Sequence, residues 1–179
     1  RQMCIRDSIE ELADVEEQLT SWVIEGLPLP FGVDVDADMK NTTINALFAG
    51  APGLILPDKT YYEEGHPQAP QLLAIFKEMT MTLFSLAGFD AEKAERITEE
   101  ALRYDKLLAP HVKSAEENAD YSKMYNPESG EEFIKHSQHL DLKKLLIGLI
   151  GEIPEKIIVT EPAYFEKLDT LVNPDTFQE

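Results

Sequence analysis

The ten residues Gly53-Leu54-Ile55-Leu56-Pro57-Asp58-Lys59-Thr60-Tyr61-Tyr62 constrain the fold more than any other stretch. Gly53 and Pro57 punctuate the backbone around a short apolar step, and Pro57-Asp58 opens a turn that sets down two adjacent tyrosines. Neighbouring side chains diverge in any regular backbone, so Tyr61 and Tyr62 are expected to anchor two different surfaces. A buried phenol also needs a hydrogen-bond partner. The residues before this stretch read as a small strand-and-loop unit, and those after it read as helices.

Taken in order, Ser8-Ile9-Glu10-Glu11 has the form of a capping box with Ser8 at the N-cap. A helix from Ile9 to Ile24 is expected, closed by Gly26. Leu27-Pro28-Leu29-Pro30 is an extended entry, because each proline disfavours helix in the residue before it. Val33 and Val35 alternate with Asp34 and Asp36, a half-buried strand pattern, and Thr42 to Phe48 returns as a second strand. Pro70 to Ala87 carries Leu72, Leu73, Ile75, Phe76, Met79, Leu83 and Phe84 at helical spacing. Asp90 caps a second helix that runs to Leu108, and the two form a natural antiparallel pair. A short helix is expected over Glu131–Ser137 and another over Asp141–Ile150, with Asp141 as cap and Gly151 as stop. Ile157-Ile158-Val159 is a short strand, and Pro162 opens a helix through Leu171 that Asn173-Pro174 breaks. The class is therefore mainly α, a multi-helix lobe with a minor two-stranded β element. No internal repeat and no linker divides the chain.

The 43% apolar content suffices for a core, and 179 residues make about one domain of ~150 residues. With 34 acidic against 16 basic residues, the formal charge is −18. Such a surface repels phosphate backbones and anionic headgroups, which argues against nucleic acid or a membrane surface as partner. No apolar run approaches the ~20 residues that span a bilayer. Cys4 is the single cysteine, so no internal disulfide forms. That suits a reducing, cytoplasmic bacterial setting and leaves a secreted or surface-exposed one open. Residues 1–7, basic against an acidic remainder, are expected to be a ragged or non-native lead-in.

Candidate chemistry is sparse. The histidines are His66, His111, His136 and His139, and none begins an H-E-x-x-H pair of zinc ligands with an intervening base. His136 and His139 could share a helix face near Glu132, yet a catalytic zinc needs at least three ligands, and solvated histidines at a helix end are the simpler expectation. Asp34-x-Asp36-x-Asp38 invites calcium, but an EF-hand loop starting at Asp34 would need Gly at Met39 and Glu at Asn45. A carboxylate site of another geometry stays open. Otherwise the aspartates form the solvent face of the first strand, with Asp38 and Asn41 shaping the turn. Glu99-Glu100 and Glu116-Glu117 read as solvated faces. No catalytic residue and no metal ligand is assigned to this chain.

One resemblance collects the remaining motifs. G-L-x-L-P-D-x-x-Y-Y at Gly53, Leu54, Leu56, Pro57, Asp58, Tyr61 and Tyr62 is similar to the N-terminal domain of neprilysin-type zinc metallopeptidases. Further pieces fall in the same order: Pro30-Phe31-Gly32-Val33, then Leu86-Ala87-Gly88, Leu107-Leu108-Ala109, Tyr125-Asn126, Ile157-Ile158-Val159 and Pro162-Ala163-Tyr164. The likeness covers Glu25 to Phe177 and is greatest to the bacterial endopeptidase O branch. It implies that residues 8–179 are part of an N-terminal helical domain, one incomplete portion of a larger two-lobed peptidase. In that family the zinc ligands and catalytic glutamate lie in a more C-terminal part, and the helical lobe encloses a substrate cavity and limits access to it. The partners implied are peptide substrates and the C-terminal catalytic domain, and the cofactor is zinc in the parent enzyme. Gly53, Leu54, Leu56, Pro57, Asp58, Tyr61, Tyr62, Tyr125 and Asn126 are expected to be structural. The alternative is a stand-alone helical protein-interaction module without peptidase activity.

Overall fold

A computed structural model describes residues 9–178. In chain order the elements are α1 (Leu12–Ile24), β1 (Gly32–Asp38), β2 (Asn41–Gly50), α2 (Ala69–Leu86), α3 (Ala91–Leu108), β3 (Asn126–Glu128), α4 (Gly130–Phe133), α5 (Leu142–Ile150), β4 (Ile157–Val159), α6 (Pro162–Phe165), α7 (Leu168–Leu171) and α8 (Pro174–Gln178). Single 3-10 turns and one further short helical turn lie between them. Helix dominates, as the sequence predicts. The chain separates into two compact units, one running to Pro52 and resuming at Asn118, the other an insert over Gly53–Glu117.

The host unit is built on a sheet with strand order β1-β2-β4-β3. The expected two-stranded element is thus the β1–β2 half of a four-stranded sheet. β1 and β2 are antiparallel neighbours joined by a tight turn, which local sequence can specify. β4 lies parallel to β2, pairing Leu47 with Ile157 and Ala49 with Val159, and β3 closes the far edge antiparallel to β4. Three-residue strands carry too little pattern to announce pairing partners more than a hundred residues away. Pro127 in β3 also fits its place on an edge, where one face of the ladder needs no amide.

Ile157, Ile158 and Val159 are all buried, as expected of a strand covered on both faces. The same unit also buries Leu142, Leu145 and Leu146 of α5, Tyr164 and Phe165 of α6, and Leu168 and Leu171 of α7, each 1% exposed or less. Two glycines mark close approaches. A Cβ on Gly148 would lie 2.6 Å from Thr20 Oγ1, where α5 meets α1, and one on Gly130 would lie 2.6 Å from the Pro154 carbonyl oxygen.

α1 begins at Leu12, three residues later than the capping-box reading places it. Its first turn is capped from within, the Asp14 carboxylate accepting from the Glu10 and Glu11 amides at 2.8 and 3.0 Å. Ser8, Cys4 and the expected lead-in at residues 1–7 lie outside the described residues. The helix expected through Leu171 is divided into α6 and α7, because Lys167 leaves helical backbone at φ −106°, ψ 2°. α5 has its expected boundaries: Asp141 accepts from the Lys144 amide at 2.8 Å, and Gly151 ends it at φ +83°.

In the insert, α2 and α3 form the expected antiparallel pair. Gly88 turns the chain at φ +83°, a left-handed conformation that favours glycine. Asp90 then caps α3 by accepting from the Lys93 amide at 2.8 Å.

Candidate functional site

The motif stretch of the insert folds as an extended step followed by a 3-10 turn over Lys59–Tyr62. Asp58 is the pin. Its Oδ1 accepts from the Thr60 amide at 2.9 Å and its Oδ2 from the Ala115 amide at 2.6 Å, and these bonds hold its carboxyl below the usual range. Lys59 is ion-paired with Glu117, whose carboxyl is pushed down to about 2, first by that ammonium and then by the Ser114 amide.

Tyr62 and Tyr61 leave this turn in different directions. The Tyr62 hydroxyl donates to Asp105 Oδ2 and accepts from the Leu56 amide at 3.1 Å, while the Ile55 amide donates to Asp105 Oδ1 at 3.0 Å. One carboxylate and one phenol therefore clamp two successive amides of the Leu54–Leu56 step onto α3. Leu56 is buried behind them and Leu54 half-buried. Burial pushes the Asp105 carboxyl above its ordinary range, against the pull of the Ile55 amide. Tyr61 stacks on His66, with ring centroids 4.2 Å apart, and its hydroxyl lies 3.4 Å from Gln68 Oε1. Gly53 and Pro57 are exposed, and no atom lies within 4 Å of a Cβ built on Gly53.

Tyr125 and Asn126 belong to the host unit, so the structure divides the motif residues between the two units. Asn126 Nδ2 donates to the Lys123 and Val159 carbonyls, both at 2.9 Å, tying the start of β3 to β4. The Tyr125 hydroxyl lies 3.5 Å from Asp38 Oδ2, and Lys40 Nζ sits 4.4 Å over its ring.

Asp38 itself departs from the expected solvent-facing row. The strand register shifts between Ala37 and Asp38, and Asp38 is 1% exposed while Asp34 and Asp36 stay in solvent. Its Oδ2 is ion-paired with Lys156, and its Oδ1 accepts from the Lys40 amide at 2.7 Å, the turn-shaping bond expected of it. Lys156 holds the Asp38 carboxyl below its ordinary 3.8, and Asp38 in return raises Lys156 above 10.5.

These opposite shifts set the sign of the pH effect. A depressed carboxyl contributes stability above pH 3.8, which is lost as pH falls through the lowered folded value; a raised ammonium contributes below pH 10.5 and loses it as pH rises through its own. Asp38→Asn is expected to flatten the fall of the melting temperature below pH 4. Equal acid slopes in variant and wild type would remove Asp38 from that fall.

The histidine pair is also rearranged. His136 is largely buried, its Nε2 2.9 Å from Glu128 Oε1 and its ring 5.8 and 5.7 Å from those of Phe133 and Phe165. The expected solvated pair is therefore only half right, since the ring packs as an aromatic while its polar edge meets a carboxylate. Glu132 serves the N-cap of α4 at Ser129, and exposed His139 lines an open cleft of about 320 Å³ with Glu11, Glu16 and Phe177. Glu16 there is engaged by the Asp141 amide at 2.7 Å. Among the described residues no group of three or more His, Cys, Asp or Glu is placed to hold a metal ion, so the zinc implied by the resemblance finds no ligand set among them. No helix among them is long and apolar enough to cross a membrane.

Comparison with known proteins gives a consistent result. The sequence profile of peptidase family M13 matches residues 5–179. The neutral endopeptidase of Lactococcus lactis subsp. cremoris is 37% identical over 172 residues, 96% of this chain and 27% of that protein. The neutral endopeptidase of Lactobacillus helveticus is 36% identical over 98% of this chain and 28% of its own length. The crystal structure of PepO from Lactobacillus rhamnosis superposes with a TM-score of 0.87 at 26% identity, over 98% of this chain and 28% of that one. The chain thus spans little more than a quarter of the length of these relatives. With its profile matched almost from end to end, it belongs to peptidase family M13.

Proposed function

We propose that this chain is a non-catalytic N-terminal lobe portion of a zinc metalloendopeptidase that cleaves peptides, and that its helices help enclose the substrate cavity and limit access to it. One observation carries the reading: the family match runs over residues 5–179, while the chain covers only 27% of a relative known as a neutral endopeptidase. The sequence has no H-E-x-x-H, so the zinc ligands and general base are assigned to another part of the parent and no chemical step is routed through these residues. Gly53, Leu54, Leu56, Pro57, Asp58, Tyr61 and Tyr62 then serve to pin a turn onto α3, and Tyr125 and Asn126 to brace the far edge of the sheet. Peptides and the catalytic part of the parent are its partners. The single cysteine, which forms no internal disulfide, fits a cytoplasmic setting.

The test uses the complete reading frame that contains this segment, purified and assayed on a short peptide and on a folded protein. Peptide hydrolysis is expected, abolished by a chelator and restored by zinc, with the folded protein left intact. A full-length product that lacks H-E-x-x-H or zinc-dependent hydrolysis overturns the proposal. A frame that closes directly after Glu179 favours instead a stand-alone interaction module, a reading that draws on the apolar side chains α2 leaves exposed.

A further inference from the structure

α2 is apolar on more faces than its pairing with α3 uses. Leu73, Phe76, Thr80 and Phe84 lie on one side and are half-buried. On another, Ile75, Met79, Leu83 and Leu86 are 54%, 52%, 58% and 81% exposed. Their steps of four, four and three residues place them in one stripe, with half-buried Leu72 at its start. Only Lys77 and Glu78 of the 18 residues of α2 are charged, in a chain that is 28% charged, whereas α3 carries charges along its whole length. Depletion of charge over an apolar patch marks a surface that is covered, and a helix apolar on most of its circumference is one buried by neighbours.

We propose that this stripe seats a helix from the remainder of the parent polypeptide, an inference that rests on the reading of this chain as part of a longer peptidase. The dimensions select the occupant. From Leu72 to Leu86 the stripe runs roughly 21 Å along the axis, about four helical turns. It stays near one line of the helix surface, so it suits an aligned helix crossing at about 20° and presenting its own apolar row. Five partly exposed side chains offer on the order of half the ~800 Å² per partner that a stable interface between separate chains buries. Within one polypeptide the effective concentration is about millimolar, and so small a patch suffices. This chain matches only 27% and 28% of these relatives' lengths, so they have the length to supply such a helix.

The experiment uses the full-length protein in a background with every native cysteine, Cys4 included, replaced by serine, and one cysteine introduced by Met79→Cys or Leu83→Cys in the stripe, or by Glu95→Cys on the charged face of α3 as reference. Maleimide labelling rates are measured under native conditions and in denaturant, with circular dichroism to establish folding; Ile75→Cys replaces a stripe variant that fails to fold. Positions 79 and 83 are expected to label at least ~100-fold more slowly than position 95, and all three alike in denaturant. Labelling at 79 and 83 within about threefold of position 95 overturns the proposal. Protection that vanishes on dilution to monomer overturns it too, because the occupant is then a second copy. Zinc-dependent peptide cleavage by the same preparations separates the two readings. Slow labelling without activity leaves the docked helix standing and the peptidase reading fallen, and activity with fast labelling does the reverse.

Discussion

Phe165→Ala is expected to lower the unfolding free energy by about 3–5 kcal/mol, the range for removing a large aromatic from a packed interior. Phe165 is wholly buried at the centre of a ring cluster. The centroids of Phe133, His136, Tyr164 and Phe31 lie 5.4, 5.7, 5.8 and 6.1 Å away, all tilted or edge-on, the arrangements that aromatic quadrupoles favour. Two of these neighbours are themselves fixed: Tyr164 donates its hydroxyl to the Pro30 carbonyl, and His136 meets Glu128. The vacated space is therefore expected to stay open instead of collapsing. Phe165→Leu, which refills most of the volume, is expected to cost about 1 kcal/mol. Urea unfolding monitored by circular dichroism measures both. A loss below about 1 kcal/mol for the alanine variant would show that the cluster is not closed around this ring. Since domains are stable by about 5–15 kcal/mol, the expected loss is a large share of the whole.

Asp105→Ala is expected to cost roughly 2–3 kcal/mol by a different route. Little volume is lost, but the Ile55 amide and the Tyr62 hydroxyl are left without their acceptor. Tyr62→Phe, which deprives the Leu56 amide of its acceptor, is expected to cost about 1–2 kcal/mol. Because the two residues share one bond, the double variant should fall short of the sum by about 1 kcal/mol; strict additivity would mean that the clamp does not exist in solution. The pH dependence opposes that of Asp38. Burial raises Asp105, so its stabilising share is complete below the ordinary 3.8 and declines as pH rises through the higher folded value. The deficit of the alanine variant should accordingly shrink as pH rises above the ordinary 3.8.

Both predictions rest on groups that differ in how far the sequence reveals them. α2, α3 and α5 are legible almost to the residue, because Asp90, Asp141, Gly88 and Gly151 act on backbone within a few positions of themselves. The turn at Asp58 is legible for the same reason. Its partner is not: Asp105 lies 43 residues beyond Tyr62, and only its place as an acid on the row of Ala94, Thr98 and Leu108 sets it apart. Asp38 is concealed by the register shift that turns it out of the row of Asp34 and Asp36, a bend no alternation pattern records. The sheet is half legible for a related reason. A hairpin is written locally, but the seat of β4 beside β2 depends on residues made after the whole insert.

That dependence bears on how the chain reaches its fold. The host sheet waits for its third strand, since Thr160 bonds back to Ala49 across 111 residues. The insert is a compact unit whose residues are all made before β4, so during synthesis it can fold while the strand that completes its host is still unmade. Once Asp58 has captured the Ala115 amide, 57 of those residues are already closed off. The loop still to be brought together is then roughly halved, easing the later closure by about 0.6 kcal/mol. The turn that fastens the insert at its neck thereby acts as a timing device, shortening the search by which β4 finds β2.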